Sequence, residues 1–324
     1  MSVETSQPSD TPQAPPVDRA GIKLGVFVGG LVLALIAGFT LAKLINPTDP
    51  AGVPSGLPSG LAGSTDPNGV HQHLPGDGVG SDVGGLALSA GGYTIVPSAA
   101  TYAQPGPQQL AFRIIGPDGQ PARQYAVVHE KPLHLVLARR DLSGYQHLHP
   151  TLGPDGVWTV AAELGAPGLW RVFADFTVIN LVGAQVALTL GYDVTVPGGL
   201  QPVELPAGST QSVVGDFTVS YQGAPSVGAT QPMLFRVERA GAPVTLEPYL
   251  GSYGHLVVLR AGDLGYVHVH PEPRMFEGAV KLWLAAPSPG SYRMFFDFQV
   301  EGVVRTATFT LTIPVPAPSP SPSA

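Results

Sequence analysis

The chain has 324 residues, including 41 Gly, 35 Pro, only 16 Lys and Arg together, and no Cys. Gly and Pro are costly inside helices and favour turns, so this composition excludes a mainly helical protein and favours short strands. A formal charge of -7 argues against a nucleic-acid partner. The missing Cys excludes disulfide scaffolds, Cys zinc sites, iron–sulfur clusters and thiol catalysis.

The N-terminal part predicts a membrane anchor. Residues 1–20 are polar and Pro-rich and predict a disordered cytoplasmic tail. Within residues 21–45, the stretch Leu24–Ala42 carries no charge and is long enough for a helix that crosses the hydrocarbon core of a bilayer. We expect a single uncleaved transmembrane helix acting as a signal-anchor; a cleaved signal peptide is the alternative.

Basic residues near this segment predict its orientation. Arg19 and Lys23 precede the apolar stretch, whereas only Lys43 follows it closely. The positive-inside rule then places the N-terminus in the cytoplasm and the C-terminal domains outside it. The predicted localisation is therefore the cell membrane, with one pass and extracytoplasmic domains.

Two further segments have the composition of linkers. Residues 46–92 are rich in Gly and Pro and predict a flexible linker, in which His71 and His73 form an isolated His-x-His pair. Residues 315–324 are rich in Pro and Ser and predict an extended tail.

An internal repeat lies between these segments. Residues 134–150 align without gaps on residues 255–271, with nine of seventeen positions identical. A second block, residues 168–176, matches residues 290–298. The chain therefore contains two copies of one domain, which we place at residues 93–198 and 204–314.

Each copy is predicted to be an all-β domain. Apolar runs that read as strands are separated by turn signals such as Gly-Pro-Asp-Gly at residues 116–119. In the first copy these runs are Leu110–Ile115, Leu133–Arg139, Trp158–Leu164, Trp170–Phe176 and Ala187–Val196. About seven short strands in each copy predict an immunoglobulin-like β-sandwich. A cupredoxin-like sandwich would give nearly the same pattern.

Six of the nine His fall into two matched triads: His134, His147 and His149 in the first copy, and His255, His268 and His270 in the second. Alternate strand residues share a face, so His147 and His149 point away from the core side marked by Leu148. If Arg139 pairs with Gly144 across a hairpin turn, His134 lies opposite His149. All three imidazoles then share one face within cross-strand reach.

Three imidazoles gathered in this way suit copper or zinc, with a fourth position open for water. The other interpretation is that these His are polar residues on a sheet face, bonded to backbone or carboxylates, with no metal. Asp175 and Asp297 are candidates to accept a hydrogen bond from the second ring nitrogen of a ligating His and so to orient its ring. The first copy also has His129 and Glu130, as a further ligand and a supporting carboxylate. His-Glu-x-x-x-His is not the helical zincin motif, because its spacing is one residue too long and Pro132 breaks a helix.

The sequence lacks the signatures of common enzymes. It contains no Gly-x-Ser-x-Gly elbow, no phosphate-binding Gly loop that opens a helix and no clear pair of catalytic carboxylates. We therefore expect no enzymatic activity; hydrolysis by a metal-bound water would require a pocket that the sequence cannot show.

The strings at residues 129–136 and 145–150 resemble those of uncharacterised, membrane-anchored, exported bacterial proteins, especially actinobacterial ones. More loosely, the domains are similar to the extracytoplasmic β-sandwiches of the YtkA-like and CopC-like type. That likeness implies copper handling, although the clear N-terminal His and Met ligand set of those domains is missing here. The resulting hypothesis is a membrane-anchored protein that binds copper before zinc without catalysis, with a metal-handling or cell-envelope protein as partner. The alternative is a structural or interaction module of the envelope that binds no metal.

Overall fold

The computed structural model describes residues 83–267 and 269–315, apart from the side chain of His270. The regular elements in these ranges are all β-strands, and no helix there is long and apolar enough to cross a membrane. The predicted tail at 1–20, the predicted transmembrane helix at 21–45 and the predicted linker as far as residue 82 lie outside the described residues.

The first repeat is a sandwich of ten strands, formed where apolar and β-branched runs alternate with Gly- and Pro-containing turns. The strands are β1 Ser89–Ala90, β2 Tyr93–Pro97, β3 Gly106–Ile115, β4 Tyr125–Ala126, β5 Leu133–Arg139, β6 Gln146–Leu148, β7 Thr151–Leu152, β8 Trp158–Leu164, β9 Gly168–Ile179 and β10 Gln185–Val196. One sheet has the order β1-β2-β3-β8-β7 and the other β10-β9-β5-β6, with β4 paired to β9. All five strand regions predicted for this copy are confirmed.

The second repeat has the same plan. Its strands are β11 Gln211–Val214, β12 Phe217–Gln222, β13 Gln231–Arg239, β14 Ala242–Pro243, β15 His255–Arg260, β16 Tyr266–Val267, β17 His270–Pro271, β18 Val280–Leu284, β19 Gly290–Val300 and β20 Val303–Ile313. They form the sheets β11-β12-β13-β18-β17 and β16-β15-β19-β20, with β14 paired to β13.

The strand order identifies the type of sandwich. In the first repeat, β2, β3, β8 and β7 correspond to strands A, B, E and D of an immunoglobulin domain, and β10, β9, β5 and β6 correspond to G, F, C and C′. The second repeat shows the same order. The prediction of two tandem immunoglobulin-like sandwiches is therefore confirmed, in preference to the cupredoxin-like alternative.

The C strands are buried on both faces. In β5, Leu135 and Leu137 enter the core of the first sandwich, whereas Val136 and Ala138 point the other way and are also fully buried. These outward residues belong to a third apolar cluster with members from both repeats. Its buried members are Val136, Ala138, Leu142, Phe173, Val257, Leu259, Leu264, Tyr266 and Phe295.

The two repeats meet through equivalent surfaces. Tyr145 of the first repeat stacks on Phe295 of the second, with ring centroids 4.0 Å apart and planes within 4°. The matching residues in the opposite sense, Tyr266 and Phe173, lie 5.7 Å apart. Contacts exchanged in this reciprocal way are those of an isologous interface, here between two halves of one chain.

Residues 83–87 form an arm that contacts both sandwiches, although composition assigned them to the linker. Gly84 exchanges two backbone hydrogen bonds with Tyr266 of the second repeat. Gly85 donates to the carbonyl of Thr189 in the first repeat, and Gly191 donates to that of Ala87. Glycine permits this close approach, because a Cβ at Gly191 would overlap the carbonyl oxygen of Gly85.

We predict that Gly191→Ala displaces the arm while both sandwiches remain folded. Overpacking of this kind costs about 1–3 kcal/mol, so the amides of Gly85 and Gly191 should exchange with deuterium about 10- to 100-fold faster. Mass spectrometry of hydrogen exchange measures this directly. Gly199→Ala is the matched control, since a Cβ there has no neighbour within 4 Å. Equal exchange at the two amides in both variants would contradict the predicted displacement.

Candidate metal centre

The β5–β6 hairpin brings the first His triad together. Leu135 pairs with Leu148 and Val136 pairs with His147, a register that continues to His134 opposite His149. This is the register predicted from the sequence. Leu135 and Leu148 pack on the core side, so the three imidazoles lie on the opposite face.

One ring nitrogen from each of His134, His147 and His149 lies within 4.8 Å of the other two. The closest pair, Nδ1 of His134 and Nε2 of His147, is 3.1 Å apart. Two nitrogens bound tetrahedrally to one ion at 2.0–2.1 Å are about 3.4 Å apart. The first pair is therefore already at a ligating separation, and a nitrogen of His149 completes the group within 4.8 Å.

The hydrogen bonds of this pair assign its protons. Nε2 of His134 lies 3.0 Å from the carbonyl oxygen of Val128, and Nδ1 of His147 lies 2.9 Å from Oδ2 of Asp297. Both oxygens only accept, so these two nitrogens carry the protons. In neutral rings, the nitrogens that face each other then present lone pairs, which repel at 3.1 Å. A shared proton or a cation between them relieves this repulsion.

The third ring of the triad also offers a nitrogen. Nε2 of His149 is buried and has no hydrogen-bond partner. Burial, with smaller contributions from His147 and His134, lowers the pKa of His149 to about 3. This ring is therefore neutral at pH 7 and its buried polar atom is unsatisfied, which is costly without a ligand.

Asp297 supports the triad from the other repeat. Its Oδ2 accepts from His147 and, at 3.1 Å, from the hydroxyl of Tyr145, while its Oδ1 accepts from Thr306 at 2.6 Å. The side chains of His147 and Asp297 are only 7% and 2% exposed. The sequence indicated that Asp297 could orient a His, but not that this His belongs to the first repeat.

Asp175 occupies the corresponding place in the first repeat. It accepts from Thr189 at 3.0 Å and from the hydroxyl of Tyr266, across the interface, at 3.5 Å. Burial and Asp175 raise the pKa of Tyr266 well above its usual value, as burial and Asp297 do for Tyr145. Each carboxylate thus holds a neutral tyrosine of the opposite repeat.

His129 and Glu130 form a tight turn before β5. Both have positive φ angles, 48° and 63°, as a type I′ turn requires, and Val128 and Lys131 pair across it. The turn places the His129 ring 5.0 Å from that of His255 and 6.2 Å from that of His134. Glu130 points outward and is exposed, so the supporting role predicted for it has no contact within the described residues.

His255 joins the same cluster from the second repeat. Its ring lies 6.4 Å from that of His134 and 6.3 Å from that of His147, and its Nε2 bonds to the carbonyl oxygen of Leu250 at 3.1 Å. Burial and the nearby His147 lower the pKa of His255 to about 4, although the bond to Leu250 acts in the opposite direction. His268 lies outside the described residues, and of His270 only the backbone, paired with Trp283, is described.

A small cavity lies where the repeats meet. Its volume is about 30 Å³, room for one water or ion. It is lined by His129, His134, His147, Asp175, His255, Leu256, Val257, Tyr266 and Val269. The predicted outward His face of the first repeat is therefore enclosed between the two sandwiches. A sign of this burial in the sequence is the apolar run Leu135–Ala138 in β5, because a strand buried on both faces carries apolar residues without alternation.

Several solved immunoglobulin-like chains resemble this one weakly. The Escherichia coli adhesin FdeC shares 16% identity, covers 71% of this chain and 66% of its own, and gives a TM-score of 0.25. The Ig1-2 module of the Drosophila receptor tyrosine phosphatase DLAR shares 12%, with 69% and 99% covered and a TM-score of 0.20. A Corynebacterium diphtheriae protein described as membrane anchored shares 11%, with 72% and 61% covered and a TM-score of 0.20. Likenesses this low carry no argument about function.

Among curated proteins, none matches this sequence significantly. A family model does match, and it does so twice, at residues 89–196 and 211–314. The two matched segments contain the two sandwiches and all their strands. The chain therefore belongs to the family described as a domain of unknown function, DUF8832, and carries two copies of that domain.

Proposed function

We propose that this protein binds one divalent transition-metal ion through His134, His147 and His149. The observation that carries the proposal is the convergence of three ring nitrogens, one from each His, within 4.8 Å. The ring of His149 also has a buried Nε2 without a hydrogen-bond partner. Within the described residues, no other group of three or more His, Asp or Glu has this geometry. The carboxylate of Asp297 behind His147 is the arrangement that commonly orients a metal-bound imidazole.

We place copper before zinc as the bound ion. Imidazole suits both ions, and for a given nitrogen site the affinity for Cu²⁺ exceeds that for Zn²⁺. The chain has no Cys and only four Met, so the soft ligands that favour Cu(I) are scarce. Three imidazoles leave a fourth position, which a water in the adjoining cavity can fill.

The proposed role is non-catalytic. A cavity of about 30 Å³ between two sandwiches accommodates a water but not an organic substrate beside the ion. Together with the predicted anchor, this supports metal handling by extracytoplasmic domains at the cell membrane, with a metal-handling or envelope protein as partner.

An interaction module without metal is the second candidate. The observation that favours it is the tip of the β9–β10 hairpin, where Leu181 and Val182 are 91% and 87% exposed. Asn180 fixes this turn by accepting hydrogen bonds from the amides of Val182 and Ala184. Such a role would use this tip, since the first His triad faces the other repeat.

Metal titration of the full chain tests the first proposal. We expect one Cu²⁺ per chain with a dissociation constant below about 10 μM, and weaker Zn²⁺ binding. The measurement is isothermal titration calorimetry on the His71→Ala, His73→Ala variant, which removes the predicted linker ligands. Adding His147→Ala and His149→Ala should abolish this binding. Binding of equal strength without the two triad His would contradict the triad as the site, whereas no binding tighter than about 10 μM before their removal would favour the interaction module.

The stability of the metal-free protein should depend on pH below neutrality. His149 and His255 have folded pKa values of about 3 and 4, below the value of about 6.5 for an unfolded His. Between pH 6.5 and 4 the unfolded chain therefore binds more protons than the folded one, and stability falls as pH falls. We expect the urea midpoint in EDTA to decrease from pH 7 to pH 5.

The matched variant for this measurement is His149→Gln, which replaces a ring nitrogen without a hydrogen-bond partner by a neutral amide. Its unfolding should take up about one proton fewer, so its urea midpoint should decline less steeply over the same range. An unchanged slope would show that His149 is not held neutral by burial.

A further inference from the structure

We infer that the metal site is shared between the repeats, so that metal binding and docking of the two sandwiches stabilise each other. This inference rests on the proposed function and adds a property to it. The ligands come from the first repeat, whereas the carboxylate that orients one of them comes from the second. The site is therefore complete only when the repeats are docked.

Asp297 of the second repeat holds the ring of His147, in the first repeat, in one orientation. Nδ1 of His147 donates to Oδ2 of Asp297 at 2.9 Å, which leaves Nε2 as the lone-pair nitrogen that faces His134. Without this carboxylate the ring is free to carry its proton on either nitrogen or to turn. Asp297 is thus a positioning residue, since it acts on the metal through His147.

Asp297 is itself held in place by other hydrogen bonds and by its position in the sheet. Thr306 on β20 and Tyr145 on the first repeat also donate to this carboxylate. Asp297 lies opposite Thr306 in the β19–β20 pair and opposite His255 in the β15–β19 pair, so its backbone is held in the central strand of its sheet. The second repeat therefore presents the carboxylate in one position, which only docking brings to His147.

The apolar surroundings of the site strengthen the hydrogen bond between His147 and Asp297. The stacked pair Tyr145 and Phe295 and the apolar cluster between the repeats exclude water around the site. Removing water strengthens the hydrogen bond between a carboxylate and an imidazole whose other nitrogen binds a cation. Separation of the repeats would return both groups to water and cancel this gain.

Metal binding and docking of the repeats must then influence each other to the same extent. If docking raises the affinity of the triad for metal by a given factor, metal favours the docked arrangement over the undocked one by the same factor. The chain then acts as a metal-dependent clasp, in which occupancy at the triad restricts the relative motion of two extracytoplasmic domains.

The Asp297→Asn variant of the full chain tests this inference. Its amide oxygen can still accept from His147 but carries no charge, so the fold should persist. We expect Cu²⁺ affinity 10- to 100-fold below that of the wild type, the usual effect of losing such a carboxylate. Asp297→Glu should restore part of this loss. Asp216→Asn, the same substitution at an exposed carboxylate of the second repeat that pairs with Arg239, should stay within about threefold of the wild type.

Inter-repeat distances supply a readout that simple loss of packing does not produce. Because the chain has no Cys, Leu181→Cys and Val213→Cys attach one spin label to each repeat at positions 91% and 74% exposed. In the otherwise wild-type chain, Cu²⁺ or Zn²⁺ should narrow the distribution of distances between the labels. In Asp297→Asn the same metal concentration should narrow it less. The wild-type measurement needs no site variant and remains decisive if Asp297→Asn does not fold.

The outcomes separate the two proposals. Absence of metal binding in the wild type removes the proposed function, and this inference with it. Binding that is equally tight in Asp297→Asn, or equally weakened in the control Asp216→Asn, overturns only the inference. A label distribution that metal leaves unchanged in the wild type overturns the inference as well.

Discussion

Burial of the second face of β5 and β15 governs the arrangement of this molecule. Each C strand fills its own core with one face, and the opposite face, with Val136 and Val257, is too apolar to remain in water. The two faces are related by duplication and therefore cover each other. Because the first His triad lies on the same side as Val136, it is carried into the interface with the apolar residues.

That burial sets the protonation of the site. Charged imidazolium groups are costly in an apolar interface, and the low pKa values of His149 and His255 follow from it. Among the carboxylates at the interface, Asp297 is the one that accepts a hydrogen bond from His147. The neutral rings of His149 and His255 and the oriented ring of His147 offer nitrogen donors that suit a divalent ion.

The sequence predicts the strands and the hairpin register, because these features depend on residues that are close together in the chain. The five strands predicted for the first repeat and the hairpin register of His134 and His149 depend on strand periodicity and one turn, which neighbouring residues specify. The covering of the His face by the other repeat depends on contacts between residues 150 and 152 positions apart. Strand periodicity does not choose among such contacts, although the apolar run Leu135–Ala138 is typical of a strand buried on both faces.

The interface is nearly symmetric, but the turns beside it differ. Tyr145 reaches Asp297 and Tyr266 reaches Asp175, as reciprocal packing of two copies requires. The tight turn before the C strand differs: it presents His129 in the first repeat and Leu250 in the second. The ring of His129 reaches across the interface to within 5.0 Å of the ring of His255. Within the described residues, the turn before the C strand therefore adds an imidazole to the interface from the first repeat, whereas the equivalent turn of the second repeat presents an aliphatic side chain.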